Sequence, residues 1–225
     1  MSKPKIERYT SPKGIAQWPR LNEPDYKYKP EGEFSVKLAY DPNDGDVQKM
    51  VKTLEKKRDE LFAAWLSENP KKKKIAEVAP VFAEEMDEDG EETGRITITF
   101  KMRHKVTSKK TKKTFLLTPD IFDAHKRLMK NPPKIGSGST LRVSFEVGGF
   151  FVESAKKFYL TIRMVAVQVI DLVEWGVRDA DSYGFDEEDD GFEASDDHTT
   201  APSKSDEDGE GEGDGDDAGD DDGDY

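Results

Sequence analysis

The charged residues of this 225-residue chain fall into two blocks of opposite sign. Residues 179–225 contain 22 Asp and Glu and one basic residue, Lys204, which gives a formal charge of −21. Residues 1–178 hold 34 Lys and Arg against 26 acidic residues, a formal charge of +8. A segment with many like charges and few apolar side chains cannot bury enough surface to offset the entropy lost on folding. We therefore predict a folded basic domain over 1–178 and a disordered acidic tail over 179–225.

The composition excludes several classes of protein. The chain has no cysteine, so disulfides and thiolate metal sites are absent. No apolar run reaches membrane-spanning length, and the start "MSKPKIERYT" has no apolar signal region. We expect a soluble, intracellular protein with no membrane partner.

Alternating apolar and polar residues predict that the folded domain is mainly β. The predicted strands cover 33–40, 95–105, 114–118, 140–147, 150–153 and 157–175, with a turn at Gly148-Gly149. The apolar phase of the last strand slips between Met164 and Val165, which predicts a bulge or a stretch that is buried on both faces. A long helix is predicted from Asn43 or Asp44 to about Asn69, and a short one over 119–130. This order favours an OB-like antiparallel β-barrel with one long and one short inserted helix; a β-sandwich is the alternative.

Signals of catalysis are weak in this sequence. His104, His125 and His198 are not at metal-ligand spacing, and His104 lies on the apolar phase of its strand, which is typical of a core histidine. The segment beginning at Asp41 resembles a calcium loop, but its twelfth position is Lys52 instead of glutamate. We expect no enzymatic activity, no metal site and no cofactor.

The folded domain instead combines cations with aromatic side chains, the two ingredients of single-strand binding. Cations neutralise phosphates and release counterions, and flat rings stack on unpaired bases. The basic candidates for DNA binding are Lys101, Arg103, Lys105, Lys109, Lys110, Lys112, Lys113, Arg142, Lys156, Lys157 and Arg163.

The aromatic candidates are Phe150, Phe151, Tyr159, Trp18 and Tyr28. Adjacent strand residues point to opposite faces, so at most one of the two phenylalanines faces a base. The region of Trp18 and Tyr28 either joins the DNA surface or closes the barrel. In contrast, the alternation assigns Phe100, Phe145 and Phe158 to the core.

The chain resembles a known family in several segments. These are "EPDYKYKPEGEFSVKLAY" before the long helix, "SKKTKKT" between strands, "IGSGSTLRVSFEV" before the last strands, and the acidic tail ending in an aromatic residue. In this order they resemble the single-stranded DNA-binding proteins of short-tailed coliphages and related phages. The resemblance implies an OB fold that binds single-stranded DNA without sequence preference during replication, recombination and repair, in the cytoplasm of the infected bacterial host. It also implies tail contacts with the phage DNA polymerase and helicase-primase, and a possible homodimer.

The end of the tail is the candidate partner-binding segment. Its residues are Asp220, Asp221, Asp222, Asp224 and Tyr225. Tethering keeps the acidic tail at high effective concentration near the basic domain, so it can compete with DNA, while Tyr225 can anchor a partner. Two other hypotheses remain: an acidic-tailed interaction module or chaperone for basic partners, and a small hydrolase or nuclease.

Overall fold

The computed structural model describes residues 7–27, 29–87, 89–108 and 111–175. The acidic tail and the predicted boundary after residue 178 lie outside these described residues. In chain order the elements are β1 (Arg8–Thr10), β2 (Gly14–Asp25), β3 (Glu33–Tyr40), α1 (Gly45–Glu68), a 3₁₀ turn (Pro70–Lys72), β4 (Glu77–Val78), β5 (Ala83–Met86), β6 (Glu92–Arg103), β7 (Lys105–Thr107), β8 (Thr114–Leu116), β9 (Asp120–Phe122), β10 (Thr140–Val152) and β11 (Lys157–Asp171).

Five strands form a curled sheet in the order β2-β3-β6-β11-β10, and β10 pairs again with β2. The ladders are antiparallel except between β6 and β11, which run parallel and meet at the single registered pair Lys101 and Arg163. Because this junction is so short, the sheet is an incompletely closed barrel. Its strand order is that of the five-stranded, partly open OB fold, so the mainly β, OB-like prediction is confirmed. β11 also pairs in parallel with β4 and β9, so the sheet is not wholly antiparallel.

The interior of the barrel follows directly from the alternation of the strands. In β3, Phe34, Val36 and Leu38 are buried, and in β6 Ile98 and Phe100 are buried beside them. β10 and β11 complete this cluster, to which Phe145 belongs as predicted. The polar residues between these positions therefore point away from the core.

The long helix α1 closes one side of the core. Asp44 caps it by accepting the backbone N–H groups of Asp46 and Val47 at 2.7 and 3.2 Å, and the helix ends before Asn69 and Pro70. Val47, Met50 and Leu54 are its buried residues. Among the described residues, no helix has both the length and the apolar character needed to cross a membrane.

The short helix predicted over 119–130 is wrong. Residues 120–122 form β9 instead, which pairs with β11 at Ala166, Val167 and Gln168. The Asp123 carboxylate then accepts the backbone N–H groups of His125 and Arg127, both at 2.9 Å, and so closes a turn. An aspartate that hydrogen-bonds its own backbone in this way competes with helix formation.

Two strand boundaries also differ from the prediction. Gly148 and Gly149 are not a turn, because β10 continues through them and the reversal comes after Val152. The predicted strand over 95–105 is interrupted at His104, after which β7 pairs with β8 as a separate two-stranded sheet. The predicted bulge is confirmed: Ser144 pairs with Ala166 and Phe145 with Met164, so the ladder skips Val165.

Candidate nucleic-acid interface

A row of charged side chains crosses the outer face of the barrel. Residues paired directly across a β-ladder lie on the same face, and the registers connect one residue per strand from β2 to β1. The members of this row, in spatial order, are Arg20, Ser35, Lys101, Arg163, Glu146 and Arg8. We call it the outer row. It crosses the second and third barrel strands, β3 and β6, which form the ligand-binding face of OB folds.

The cations predicted on the 95–105 strand are placed in two elements. Lys101 and Arg103 are exposed at alternate positions of β6, so they share the outer face as predicted. Lys105 is exposed on β7, beyond the break at His104. The His104 Nδ1 lies 2.9 Å from the Leu117 carbonyl oxygen, and its ring packs edge-on against Phe34. His104 is thus a satisfied structural histidine, as the sequence indicated.

The predicted basic turn lies on the hairpin that β7 and β8 form. Lys112 and Lys113 are exposed there, whereas Lys109 and Lys110 lie outside the described residues. Phe115 is half-exposed on β8. The hairpin therefore carries cations and an exposed ring beyond the end of β6.

The two phenylalanines of β10 have different environments. Phe150 is 49% exposed and stacks on Tyr159, with ring centroids 5.7 Å apart and planes inclined by 22°. Phe151 points the other way and stacks on Trp65 of α1 at 4.4 Å. Trp65 also contacts Phe158, which is buried as predicted. Phe151 is therefore held in a packing cluster, and Phe150 with Tyr159 forms an exposed aromatic pair.

This aromatic pair lies on the same face as the outer row. Tyr159 and Arg163 are four residues apart on β11, and Phe150 and Glu146 are four residues apart on β10. An even spacing along a regular strand preserves the face, and four residues span about 13 Å. Phosphate-binding cations and base-stacking rings are thus presented on one surface.

The remaining candidates lie in other neighbourhoods. Lys156 is exposed in the turn between β10 and β11, and Lys157 begins β11 at intermediate exposure. Arg142 lines a cavity of about 350 Å³ with Asp46 and Lys49, between β1, β10 and the start of α1. The structure thus places Arg142 among helix and β1 residues rather than with the Lys101–Arg163 pair.

The Trp18 side chain lies at the surface, while β2, the strand that carries it, closes the barrel by pairing with β10. Its side chain is 79% exposed, and its backbone takes a positive φ of 49° within an irregular stretch of β2. A bulky residue at positive φ is uncommon, and such strain often accompanies function. Tyr28, its proposed companion, lies outside the described residues. The neighbouring Tyr26 is 56% exposed and contacts the edge of His104.

Sequence reasoning missed Arg20, Glu33 and Glu146. Arg20 lies between Pro19 and Pro24 in β2, a strand that is not among those predicted from the sequence. Glu33 and Glu146 looked like ordinary solvent-facing strand residues. The alternation within each strand predicts which face of the sheet these two glutamates occupy. It does not predict their cationic partners, because those partners come from other segments of the chain.

The two missed carboxylates each hold two cations. Glu146 lies 3.4 Å from Arg8 Nε and 3.7 Å from an Arg163 guanidinium nitrogen. Glu33 lies 3.1 Å from Lys101 Nζ and also contacts Lys29 Nζ. Burial alone would raise the pKa of Glu33, but hydrogen bonds from Lys29 and Lys101 outweigh it, and the pKa lies below its usual value.

No group of three or more His, Cys, Asp or Glu able to hold a metal ion occurs within the described ranges. The fold and the outer surface therefore define a class: an OB-fold protein whose exposed strand face combines cations and stacked aromatic rings, the pattern used to bind nucleic acid strands.

Comparison with known proteins identifies the family. The family described as the single-stranded DNA-binding protein of bacteriophage T7 matches residues 13–172. This match covers most of the chain and all five barrel strands, and the chain belongs to that family.

Individual relatives agree with this assignment. The chain is 28% identical to the single-stranded DNA-binding protein of Enterobacteria phage T3, over 83% of this chain and 85% of the relative. The crystal structure of gp2.5, a single-stranded DNA-binding protein encoded by bacteriophage T7, matches with a TM-score of 0.66 and 26% identity, over 85% of this chain and 100% of that chain. The single-stranded DNA-binding protein of bacteriophage Enc34, a C-terminal truncation, shares the fold at 12% identity, with a TM-score of 0.51 over 74% of this chain and 87% of that chain.

Proposed function

We propose that this chain binds single-stranded DNA without sequence preference through the outer face of β3, β6 and β11. The observation that carries the proposal is the common face of the Lys101–Arg163 pair and the exposed Phe150–Tyr159 stack. Arg103 extends the cationic surface along β6, and Arg20 adds a cation on β2. The family supports the same ligand, since its description names single-stranded DNA binding.

The mechanism is binding without chemistry on the DNA. Each cation on the face neutralises a phosphate and releases condensed counterions, which makes the affinity fall as salt rises. The aromatic pair stacks on an unpaired base, and stacking is tolerant of sequence because every base has a π-face. In duplex DNA the bases are stacked inside the helix. A duplex can therefore contact the cations through its phosphates, but its bases cannot stack on the aromatic pair.

Binding of oligo-dT and of a duplex of equal length across a salt series tests this function. We expect tight, salt-sensitive binding to oligo-dT and much weaker binding to the duplex. Lys101→Ala and Arg163→Ala should each weaken oligo-dT binding and reduce the log–log salt slope by about 0.7, the value for one phosphate contact on a single strand. Equal affinity for both DNAs would refute the proposal.

We extend the proposal to the acidic tail, residues 179–225, which lies outside the described part of the chain. Its charge of −21 over 179–225 supports a role as an internal polyanion that competes with DNA. When DNA displaces it, the tail binds the phage DNA polymerase and helicase-primase in the cytoplasm of the infected host, through Asp220–Asp222, Asp224 and Tyr225. We also propose that the chain forms a homodimer and that it acts in recombination and repair.

Removing residues 179–225 separates the two main hypotheses. A DNA-binding protein with a competing tail should bind oligo-dT more tightly after truncation, whereas an acidic-tailed chaperone should lose its principal activity. Tyr225→Ala should weaken capture of the polymerase without changing oligo-dT affinity. Incubation of labelled DNA with the protein and magnesium tests for nuclease activity, and we expect intact DNA.

A further inference from the structure

Three cations of the outer row, Arg8, Lys101 and Arg163, are already engaged in ion pairs when no DNA is bound. Glu146 bridges Arg8 and Arg163, and Glu33 bridges Lys29 and Lys101. Both carboxylates are largely covered, with only 15% of each side chain exposed. Each therefore lies among its cations rather than projecting freely into solvent.

The two bridged groups meet at the narrow junction of β6 and β11. Lys101 and Arg163 are the registered pair that joins these strands, so two like charges stand side by side there. A carboxylate on each outer side balances one of them, Glu33 for Lys101 and Glu146 for Arg163. The acids thus relieve a repulsion between cations at the narrow β6–β11 junction.

The carboxylates of Glu33 and Glu146 also compete with phosphates for the same cations. A cation that contacts a carboxylate at 3 to 4 Å must share or exchange that anion before it contacts a phosphate. The freed carboxylate then remains on the surface and repels the DNA backbone. At about 4 Å, one such unit charge changes affinity by about five-fold even with the dielectric constant of water.

We propose that Glu33 and Glu146 are built-in counter-anions that single-stranded DNA phosphates displace from Lys101 and Arg163, and that this exchange limits both the affinity and its salt dependence. This inference rests on the proposed function. In this role Glu33 and Glu146 weaken the binding of DNA. The protein can therefore be displaced from single-stranded DNA more easily. The lowered pKa of Glu33 agrees with this role, because the carboxylate stays charged across the physiological range.

Neutralising each acid without changing its shape tests the exchange. Glu33→Gln and Glu146→Gln should each raise oligo-dT affinity by about five-fold at low salt. Each should also steepen the log–log salt slope, and the double variant should steepen it further, because no displaced carboxylate is left to take up a cation and offset the counterions released from the DNA. Glu60→Gln is the matched control, because it makes the same charge change on α1, where Glu60 pairs with Lys57 at 3.4 Å.

The possible outcomes are distinct. An increase in affinity and slope for Glu33→Gln and Glu146→Gln, beyond that of Glu60→Gln, supports the proposal. Effects equal to Glu60→Gln would show that only net charge matters, and weaker binding would show that the acids instead orient the cations; either result overturns it. Thermal unfolding identifies a variant with altered folding, and the other single variant then decides the question.

Lys101→Ala separates this inference from the proposed function. If Lys101→Ala weakens binding while both glutamine variants behave like the control, the counter-anion role fails and the DNA surface stands. If Lys101→Ala and Arg163→Ala leave binding unchanged, the proposed surface itself fails, and the inference is overturned with it.

Discussion

Replacing Phe150 by alanine gives the sharpest measurement of the aromatic part of the DNA surface. One face of the Phe150 ring lies against Tyr159, and about half of the side chain is exposed to solvent. This geometry leaves room for one stacked base. Since stacking contributes about 1–3 kcal/mol per base and Tyr159 remains in place, we expect a loss of about 1–2 kcal/mol, or about 5- to 30-fold in affinity.

The salt dependence distinguishes stacking from charge. Phe150→Ala should lower oligo-dT affinity by a constant factor across the salt series and leave the log–log slope unchanged, because no phosphate contact is removed. Titration monitored by fluorescence anisotropy measures both quantities. Phe150→Tyr keeps the ring and should bind like the wild type, whereas Phe150→Leu should resemble Phe150→Ala.

The neighbouring Phe151 is the structural control. Its stack on Trp65 places it in a packing cluster, so Phe151→Ala should destabilise the fold by about 1–3 kcal/mol in denaturant unfolding and affect DNA binding less than Phe150→Ala does. Wild-type affinity for Phe150→Ala, or a loss that disappears at high salt, would refute the assignment of Phe150 as the stacking residue.

Three further predictions concern stability. A Cβ on Gly149 would lie 2.4 Å from the buried ring of Phe158, whereas one on Gly148 meets no atom within 4 Å. Gly149→Ala should therefore lower the free energy of unfolding by about 1–3 kcal/mol, and equal stability of the two alanine variants would contradict the packing. Asp44→Ala removes the cap of α1 and should cost about 0.5–2 kcal/mol, measured by urea unfolding, while an unchanged midpoint would show that the cap is dispensable. Ion pairs lower the pKa of Glu33 on folding, so they stabilise the protein above the ordinary glutamate pKa of 4.5, and this contribution is lost as the pH falls through the lower, folded pKa. The stability difference between wild type and Glu33→Gln should accordingly shrink on acidification from about pH 6 to pH 3, and a constant difference would exclude a Glu33 contribution.

Much of the site could be predicted wherever the relevant pattern is local. The alternation of β6 placed Lys101 and Arg103 on one face, and the opposite orientations of Phe150 and Phe151 followed from strand geometry. The role of each phenylalanine depended on α1, because Trp65 covers one face of the hairpin and leaves the other open. Arg142 was assigned by its residue type, and its neighbours on β1 and α1 were not visible in the sequence.

The sequence predicts those elements whose information lies within a few residues: the strands with period-two burial, the helix with its Asp44 cap, and the separation of a basic domain from an acidic segment. It also favours the OB-like class over a β-sandwich, but it does not predict β2, the strand that closes the barrel. Contacts between distant segments set the remaining features. Residues 120–122 became a strand because β11 offered an edge, and Gly149 was needed because Phe158 lies across it. Glu33 and Glu146 acquired two cations each only when separate strands brought them together, because an ion pair depends on distance in space and not on distance along the chain.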